Sequence, residues 1–252
     1  MMLGIERRQK IMEYLTSDRK VYVADLSKIL KVTEETVRRD LEKLETQDLL
    51  RRSYGGAVLN EHTSEDLSFL KRNSINNTDK QAIAKKAEFL VNDNDTLMVD
   101  SSTTCLTLLH QLKIKKELTV ITNSIKLVND FVSSPFTIIS SGGTLRAHSY
   151  ALVGPSACNS LQNYYVDLAI ISCKGIDRDK GIMESNEQES IIKQQMMKQA
   201  KKCILLIDHS KFDKTAFTRT GDFTCIDYIV TNQMPSQDWI NFFDKREIKL
   251  IY

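Results

Sequence analysis

The chain of 252 residues predicts a two-part α/β protein: a helix-turn-helix with a β-hairpin wing, followed by an open, largely parallel α/β domain. Three observations carry that expectation. Helical periodicity over residues 1–58 closes on Gly55-Gly56; residues 59–77 are polar and aperiodic; from Thr78 onward short apolar runs alternate with helical stretches. The expected division is therefore 1–58, a linker at 59–77, and 78–252.

Composition narrows the classes. A hydrophobic share of 41% and a charged share of 27% describe a globular chain, long enough to bury its own core without disulfide or metal staples. The longest apolar runs, such as 203–207, fall far short of the roughly 18 residues of a membrane span, so no membrane partner is expected. Glu6, Arg7, Arg8 and Lys10 have no apolar stretch behind them, which excludes a secretory leader and points to the cytoplasm. Cys105, Cys158, Cys173, Cys203 and Cys225 form no CxxC pair, and no HExxH occurs, so neither a metal nor a cofactor is expected. Net charge is only +2, and residues 1–58, with twelve Lys and Arg against ten Asp and Glu, hold all of it. That permits a nucleic-acid partner and shows no more.

In the first segment Ile5, Ile11, Met12 and Leu15 give one amphipathic helix, and Leu26, Ile29 and Leu30 a short second one ending near Lys31-Val32. Thr33 suits an N-cap for a third, with Glu34 and Glu35 in the first turn where the helix dipole favours acids. Val37, Leu41 and Leu44 recur at i, i+4 and i+7 and form its buried stripe. Glu35, Arg39 and Glu42 then point away from the core, with Thr36 and Lys43 on one flank and Arg38 on the other. A helix so presented suits a major groove, where its first turns read base edges. Residues 49–58 read as a hairpin, its Gly55-Gly56 supplying positive backbone angles and its Arg51 and Arg52 placed to clamp phosphates. The same helices and hairpin also suit a protein-interaction domain, with Arg38 and Arg39 solvated among the glutamates.

The second segment predicts strands at 96–99, 118–122, 137–139, 166–172, 202–207 and 228–231, separated by helices notably at 79–90, 103–112, 125–132 and 189–200. Four strands end in polar loops: Asp100-Ser101-Ser102-Thr103-Thr104, Asn123-Ser124, Ser140-Ser141-Gly142-Gly143 and Asp208-His209-Ser210-Lys211. In an open α/β sheet the carboxyl ends of the strands share one rim, where ligands bind. Hydroxyl residues with free amides at a helix start make a phosphate cradle, although Ser and Thr are equally ordinary caps. Gly142 and Gly143 allow close backbone approach to a ligand, and Lys211 supplies a balancing cation or is simply exposed.

Residues carry a resemblance as well. Glu6-Arg7-Arg8, Leu26 to Leu30, Val32-Thr33-Glu34-Glu35-Thr36-Val37-Arg38-Arg39-Asp40-Leu41, Leu49-Leu50-Arg51-Arg52 and Gly55-Gly56-Ala57 resemble the DeoR family of bacterial transcriptional regulators. Tyr54 departs from the histidine common before Gly-Gly in that family. Across the remaining chain Asp100-Ser101-Ser102-Thr103, Ile121 to Ser124, Ser141 to Gly143, Gly175 to Asp177, Gly181 and Asp208 to Phe212 resemble its effector domain. The resemblance implies a Rossmann-like fold of the ribose-5-phosphate isomerase type. It implies double-stranded operator DNA held by Thr33, Glu35, Thr36, Arg38 and Arg39, supported by Arg51 and Arg52. It implies a sugar phosphate effector held by Asp100, Ser101, Ser102, Thr103 and Thr104, with Asn123, Gly142, Gly143 and Lys211 nearby and Lys174 and Gly175 beside them. It also implies a homo-oligomer, a dimer or larger, acting as a repressor of sugar metabolism. The alternative is a sugar-phosphate isomerase with an appended nucleic-acid-binding domain. The isomerases carry Gly-Ala-Asp-Glu where this chain has Cys173-Lys174-Gly175-Ile176-Asp177-Arg178, so only Asp177 remains of the acidic stretch. Glu187 and Glu189 read as acids in a helix first turn. No enzymatic activity is expected.

Overall fold

A computed structural model describes residues 3–18, 20–46, 49–59 and 66–252. The chain forms two compact units, Met1–Glu65 and Asp66–Tyr252.

The first unit runs α1 (Gly4–Asp18), β1 (Lys20–Tyr22), α2 (Val23–Leu30), α3 (Glu34–Thr46), β2 (Leu50–Ser53) and β3 (Gly56–Leu59). Its core is Ile11 and Leu15 from α1, Leu26 and Leu30 from α2, Val37, Leu41 and Leu44 from α3, with Leu50 and Ala57 from the wing. Ile5 and Ile29, expected on apolar faces, are instead 74% and 51% exposed. The turn between α2 and α3 is locally determined. Lys31 adopts a left-handed conformation with its amide on the Ser27 carbonyl, and Ser27 Oγ donates to the Val32 carbonyl at 2.8 Å. Thr33 Oγ1 accepts from the Thr36 amide at 3.3 Å, the expected cap.

The wing differs from the sequence reading. It is a three-stranded antiparallel sheet in the order β1-β3-β2, with Val21 opposite Ala57. A three-residue strand is too short to show a period of two, so β1 was hidden beside the periodicity of α2. Of the two wing glycines, Gly55 has positive φ, at +77°, and Gly56 does not. Gly56 serves a different need: a Cβ there would lie 2.0 Å from the Val21 carbonyl oxygen, so β1 cannot pair with β3 unless the residue is glycine.

The second unit contains α4 (Phe69–Ser74), α5 (Asn77–Ala87), β4 (Thr96–Val99), α6 (Thr103–Gln111), β5 (Thr119–Thr122), α7 (Ile125–Asp130), β6 (Thr137–Ser140), β7 (Thr144–Arg146), β8 (Ala151–Val153) and α8 (Pro155–Leu161). It continues through β9 (Val166–Ile171), β10 (Gly175–Asp177), β11 (Gly181–Glu184), α9 (Glu187–Lys198), β12 (Ala200–Leu206), β13 (Thr218–Gly221), β14 (Tyr228–Val230), α10 (Gln237–Asp244) and β15 (Lys249–Ile251). Seven strands form a parallel sheet in the order β15-β14-β12-β9-β4-β5-β6. Both faces are covered, so the strands read as nearly continuous apolar runs. Met98 and Leu205 face one core with Ile192, Met196, Trp239 and Phe243; Leu97, Val99, Ile204 and Leu206 face the other with Ile83, Leu109, Leu127 and Phe131. The six expected strands all form, within two residues at each end. Strand order reverses between β4 and β9, which opens a crevice beyond their carboxyl ends.

The expected linker at 59–77 is corrected from Asp66 onward, while residues 60–65 lie outside the described residues. Ser68 Oγ caps α4, and Phe69 is buried edge-on to Tyr150 with ring centroids 5.3 Å apart. One aromatic anchor in a polar stretch leaves no periodicity, which is why the segment reads as linker. The antiparallel sheet β10-β11-β13 and the β7-β8 pair were also hidden by strands of three or four residues.

Candidate functional site

In the first unit, the face of α3 that looks away from the core carries the expected nucleic-acid contacts. Glu35, Arg38 and Arg39 are exposed, as is Thr33, and Thr36 is half-buried with its hydroxyl 2.9 Å from that of Thr33. Among the described residues, Arg38 and Arg39 are held by exposed i, i+4 pairs, to Glu34 at 2.7 Å and Glu35 at 3.1 Å. Such pairs are worth about 0.3–0.5 kcal/mol, so a phosphate or a base edge displaces them readily. On the wing, Arg51 and Arg52 are exposed, and Arg52 Nε is paired with Glu45 Oε2 at 2.6 Å.

Asp40 completes this unit and was not among the expected functional residues. It is buried on the stripe of α3 and ion-paired with Arg7 and Arg8 of α1, the second at 3.3 Å. The Glu6-Arg7-Arg8 and Arg39-Asp40 motifs are thus partly a structural lock that sets the angle of α3.

In the second unit a solvent-open pocket lies at the β4/β9 crevice. Its floor is the start of α6. Ser102 Oγ accepts from the Cys105 amide at 3.2 Å, and the Ser102 amide donates to Asp100 Oδ1 at 2.9 Å. The amides of Thr103 and Thr104 have no acceptor among the described residues, as first-turn amides of a helix generally lack one. Thr103, Thr104 and Ser102 all line the pocket.

Asp100 has a different part from the one expected. It is 1% exposed, and its carboxylate accepts from the Ser102 and Ser172 amides and pairs with Lys193 at 3.2 Å. It ties the loop after β4 to the end of β9. Burial raises its pKa, but Lys193 and the hydrogen bonds of Ser102 and Ser172 outweigh it and hold the carboxyl below the ordinary range. Ser101 is buried behind the loop. Asn123 also turns away: its Nδ2 donates to the Leu152 carbonyl at 3.1 Å. Asn123 Oδ1 is buried without a partner among the described residues, and nothing in the packing accounts for it. Gly143, at φ +110°, is glycine because a Cβ would meet the Val153 carbonyl at 2.7 Å and the Ala157 Cβ at 2.8 Å. Gly142, at φ +63°, sits beside it, and a Cβ at Gly175 would meet the Lys214 carbonyl at 2.5 Å. Gly143 and Gly175 thus admit the protein's own chain, while Gly142 has open space where a Cβ would stand and is set apart only by its positive φ. The loops after β5 and β6 share the rim but are occupied by β7 and β8.

The remaining walls include residues the sequence reading missed. Arg72 of α4, Lys80 of α5, Lys174, Lys193 of α9 and Lys211 supply cations; Asp66, Glu184, Glu189 and Asp208 supply carboxylates. Lys193 Nζ pairs with Glu184 and donates to the Ser172 carbonyl at 2.7 Å. Burial pulls its pKa down, yet Glu184 and Asp100 prevail and hold it above the ordinary lysine value. Arg146 bridges Asp66 and Glu189, the latter at 2.9 Å. Lys80 Nζ donates to the Arg72 and Ile75 carbonyls, the second at 2.6 Å. Its burial, opposed by Asp208 and Asp79 and reinforced by Lys211 and Arg72, brings its pKa down to about 8. Cys173, also in the wall, has its thiol pushed up to about 12 by burial, so it is no nucleophile. The pocket thus brings first-turn amides and cations together with carboxylates that are paired with cations and can accept hydroxyl hydrogen bonds. A signal for the missed residues existed: Lys80 lies on the stripe with Ile83, Ala84 and Ala87, and Lys193 with Met196 and Met197, positions a solvated lysine would not take.

Among the described residues no helix is long and apolar enough to cross a membrane, and no group of three or more His, Cys, Asp or Glu is placed to hold a metal ion.

Comparison with known proteins agrees with this division. Residues 7–63 match the family model of the DeoR-like helix-turn-helix domain, and residues 75–233 that of the DeoR C terminal sensor domain. Relatives include the uncharacterized HTH-type transcriptional regulator YulB of Bacillus subtilis (strain 168), 35% identical over 99% of this chain and 96% of that protein. The HTH-type transcriptional repressor GlcR of the same organism is 33% identical over 98% of this chain and 95% of its own length. The glycerol-3-phosphate regulon repressor of Escherichia coli (strain K12) is 27% identical over 97% of each. Among solved structures, ribose 5-phosphate isomerase A from Methanocaldococcus jannaschii matches with TM-score 0.38 and 16% identity over 53% of each chain. With both domains matched in order and a relative aligned along nearly its full length, the chain belongs to the DeoR family of helix-turn-helix transcriptional regulators.

Proposed function

We propose that this protein is a cytoplasmic repressor of a sugar-metabolism operon, binding double-stranded operator DNA and responding to a phosphorylated sugar. The observation that carries the reading is the pocket's lining of first-turn amides, cations and paired carboxylates. The free amides of Thr103 and Thr104, with Lys80 and Lys211, suit a phosphate, since the helix dipole and the donors act together. Glu184 and Glu189, each fixed by a cation, suit the hydroxyls of the sugar. In the first unit Thr36, Arg38 and Arg39 read base edges, while Thr33, Arg51 and Arg52 hold phosphates and Glu35 orients Arg39. Two or more copies place their recognition helices on repeated half-sites.

Binding without turnover follows from the same pairs. A general base must be free to reach the proton it abstracts, and here Glu184 and Glu189 are committed to Lys193 and Arg146. An isomerase assay on pentose and hexose phosphates is expected to show no turnover.

A thermal-shift screen of the full chain against sugar phosphates tests the reading. A cognate ligand at a hundred times its Kd adds about 2.7 kcal/mol to the native state, whereas the free sugars are expected to give no shift. A screen in which no phosphorylated sugar raises the melting temperature contradicts it. Lys80 adds a pH signature. A phosphate monoester is a dianion above about pH 6, and the bound anion favours the charged form of Lys80. Affinity is therefore expected to rise to a plateau between about 6 and 8, then to fall as Lys80 loses its proton above about 8. In Lys80→Arg, which keeps its charge, the alkaline fall should disappear.

A further inference from the structure

We infer that Asn232 is a positioning residue for the pocket: it clasps α5 to the loop after β12 and so holds Lys80 and Lys211 at one fixed separation. The inference deepens the reading of the pocket as an anion-effector site and rests on it.

Like charge sets the problem. Lys80 on α5 and Lys211 in the loop after β12 both line the pocket, close enough for each to feel the other. Two ammonium groups that face one cavity repel unless an anion lies between them. The elements that carry them therefore need a fastening that does not depend on the ligand.

Asn232, two residues past β14, supplies it from behind the pocket wall. Its Nδ2 donates to Asp79 Oδ1 at 2.9 Å and lies 2.9 Å from His209 Nδ1, while its Oδ1 accepts from the His209 backbone amide at 2.8 Å. A carboxylate only accepts, so the orientation of the Asn232 amide is fixed, and His209 Nδ1 takes its second N–H as acceptor. One side chain thus spends both donors and its acceptor on two elements. Asp79 directly precedes Lys80, and His209 lies two residues before Lys211. Lys86, two turns further along α5, fastens the same loop by donating to the Thr231 and Asn232 carbonyls at 3.3 and 3.0 Å. A ligand that finds both cations already placed does not bear the cost of ordering them.

The clasp also keeps water from Lys80. The charged groups that face Lys80 are Asp79 on its own helix, Arg72 on α4, and Asp208 and Lys211 on the clasped loop. Burial outweighs them all in bringing its pKa down to about 8, so opening the clasp returns it toward the ordinary lysine value of 10.5.

The test uses the full chain with inorganic phosphate as the probe. Phosphate Kd is measured by calorimetry at pH 7 and pH 9 for the wild type, Asn232→Ala and His209→Ala. Ala at 232 removes all three bonds; Ala at 209 removes only the one to the ring, and keeps the test open should Asn232→Ala fail to fold. Phosphate's own titration cancels in the ratio of variant to wild-type Kd. At pH 7 that ratio is expected to be about tenfold for Asn232→Ala and smaller for His209→Ala. By pH 9 it should shrink severalfold, because Lys80 has by then lost its proton in the wild type and keeps it in the variants. A ratio of one at pH 7 in every variant that folds, with phosphate still binding the wild type, overturns the clasp and leaves the pocket reading standing. A raised ratio that is the same at both pH values also overturns it, since a merely structural role weakens binding without moving the titration of Lys80. A wild type that neither binds phosphate nor is shifted by any sugar phosphate overturns both readings.

Discussion

Replacing Arg39 by Ala is expected to weaken binding to an operator duplex by about tenfold to a hundredfold, the size of one lost bidentate base contact. The substitution should leave the thermal shift caused by sugar phosphates unchanged. Arg39 is 73% exposed on its side chain, and its one ion pair, to Glu35, is equally open to solvent. Nothing in the fold of the first unit depends on it, so the loss is one of recognition. Fluorescence anisotropy on duplexes enriched from a random library by the full chain measures the effect. Arg51→Ala is the internal comparison: a phosphate contact should lower affinity uniformly across sequences and reduce the salt slope by about one. A wild-type affinity in Arg39→Ala, with Arg38→Ala equally silent, would remove α3 from the groove.

The second large effect is on stability. Lys193→Met leaves Asp100 and Glu184 buried without their shared cation. Breaking a buried pair in this way costs about 3–5 kcal/mol, or roughly 6–20 °C in the melting temperature of a unit this size. The sign with pH is diagnostic. In the wild type the carboxyl of Asp100 is held below its ordinary pKa, so its contribution is present at neutral pH and fades as pH falls through the folded value. Without Lys193, burial raises that pKa, and the folded state then prefers the protonated acid. The deficit of Lys193→Met relative to wild type should therefore be largest near neutrality and shrink on acidification. A thermal denaturation series from pH 7 to pH 4 measures both. A deficit that grows on acidification would mean that Asp100 is not the group that Lys193 serves.

How much was legible in the sequence follows the range of the interactions. The recognition helix was legible because capping at Thr33 and the stripe of Val37, Leu41 and Leu44 are local, and 3.6-residue periodicity reports them directly. The parallel sheet was legible because strands covered on both faces read as apolar runs bounded by polar loops. The short antiparallel pieces were not: β1, β7 and β8 have three residues each, too few to show a period of two, and β1 also owes its pairing to chain distant in sequence. The site divides along the same line. The start of α6 and Lys211, which line the pocket, were singled out because a polar loop after a strand is a local signal. Arg72, Lys80, Glu184 and Lys193 reach the pocket through tertiary packing, and of these Arg72 and Glu184 look from sequence like ordinary solvated charges. Asp100, Gly143 and Gly175 were expected at the effector, but Asp100 holds two backbone amides and Lys193, and the two glycines lie against the protein's own chain, which no spacing rule distinguishes from a ligand.

Thermodynamic coupling between the two units is the most direct test. Operator affinity of the full chain is measured by anisotropy at one fixed salt concentration, across a titration of whichever sugar phosphate raises its melting temperature. The account predicts a saturable change in DNA affinity, with an amplitude between about fivefold and 150-fold. A sugar phosphate that stabilises the second unit while leaving DNA affinity constant at every concentration would contradict it.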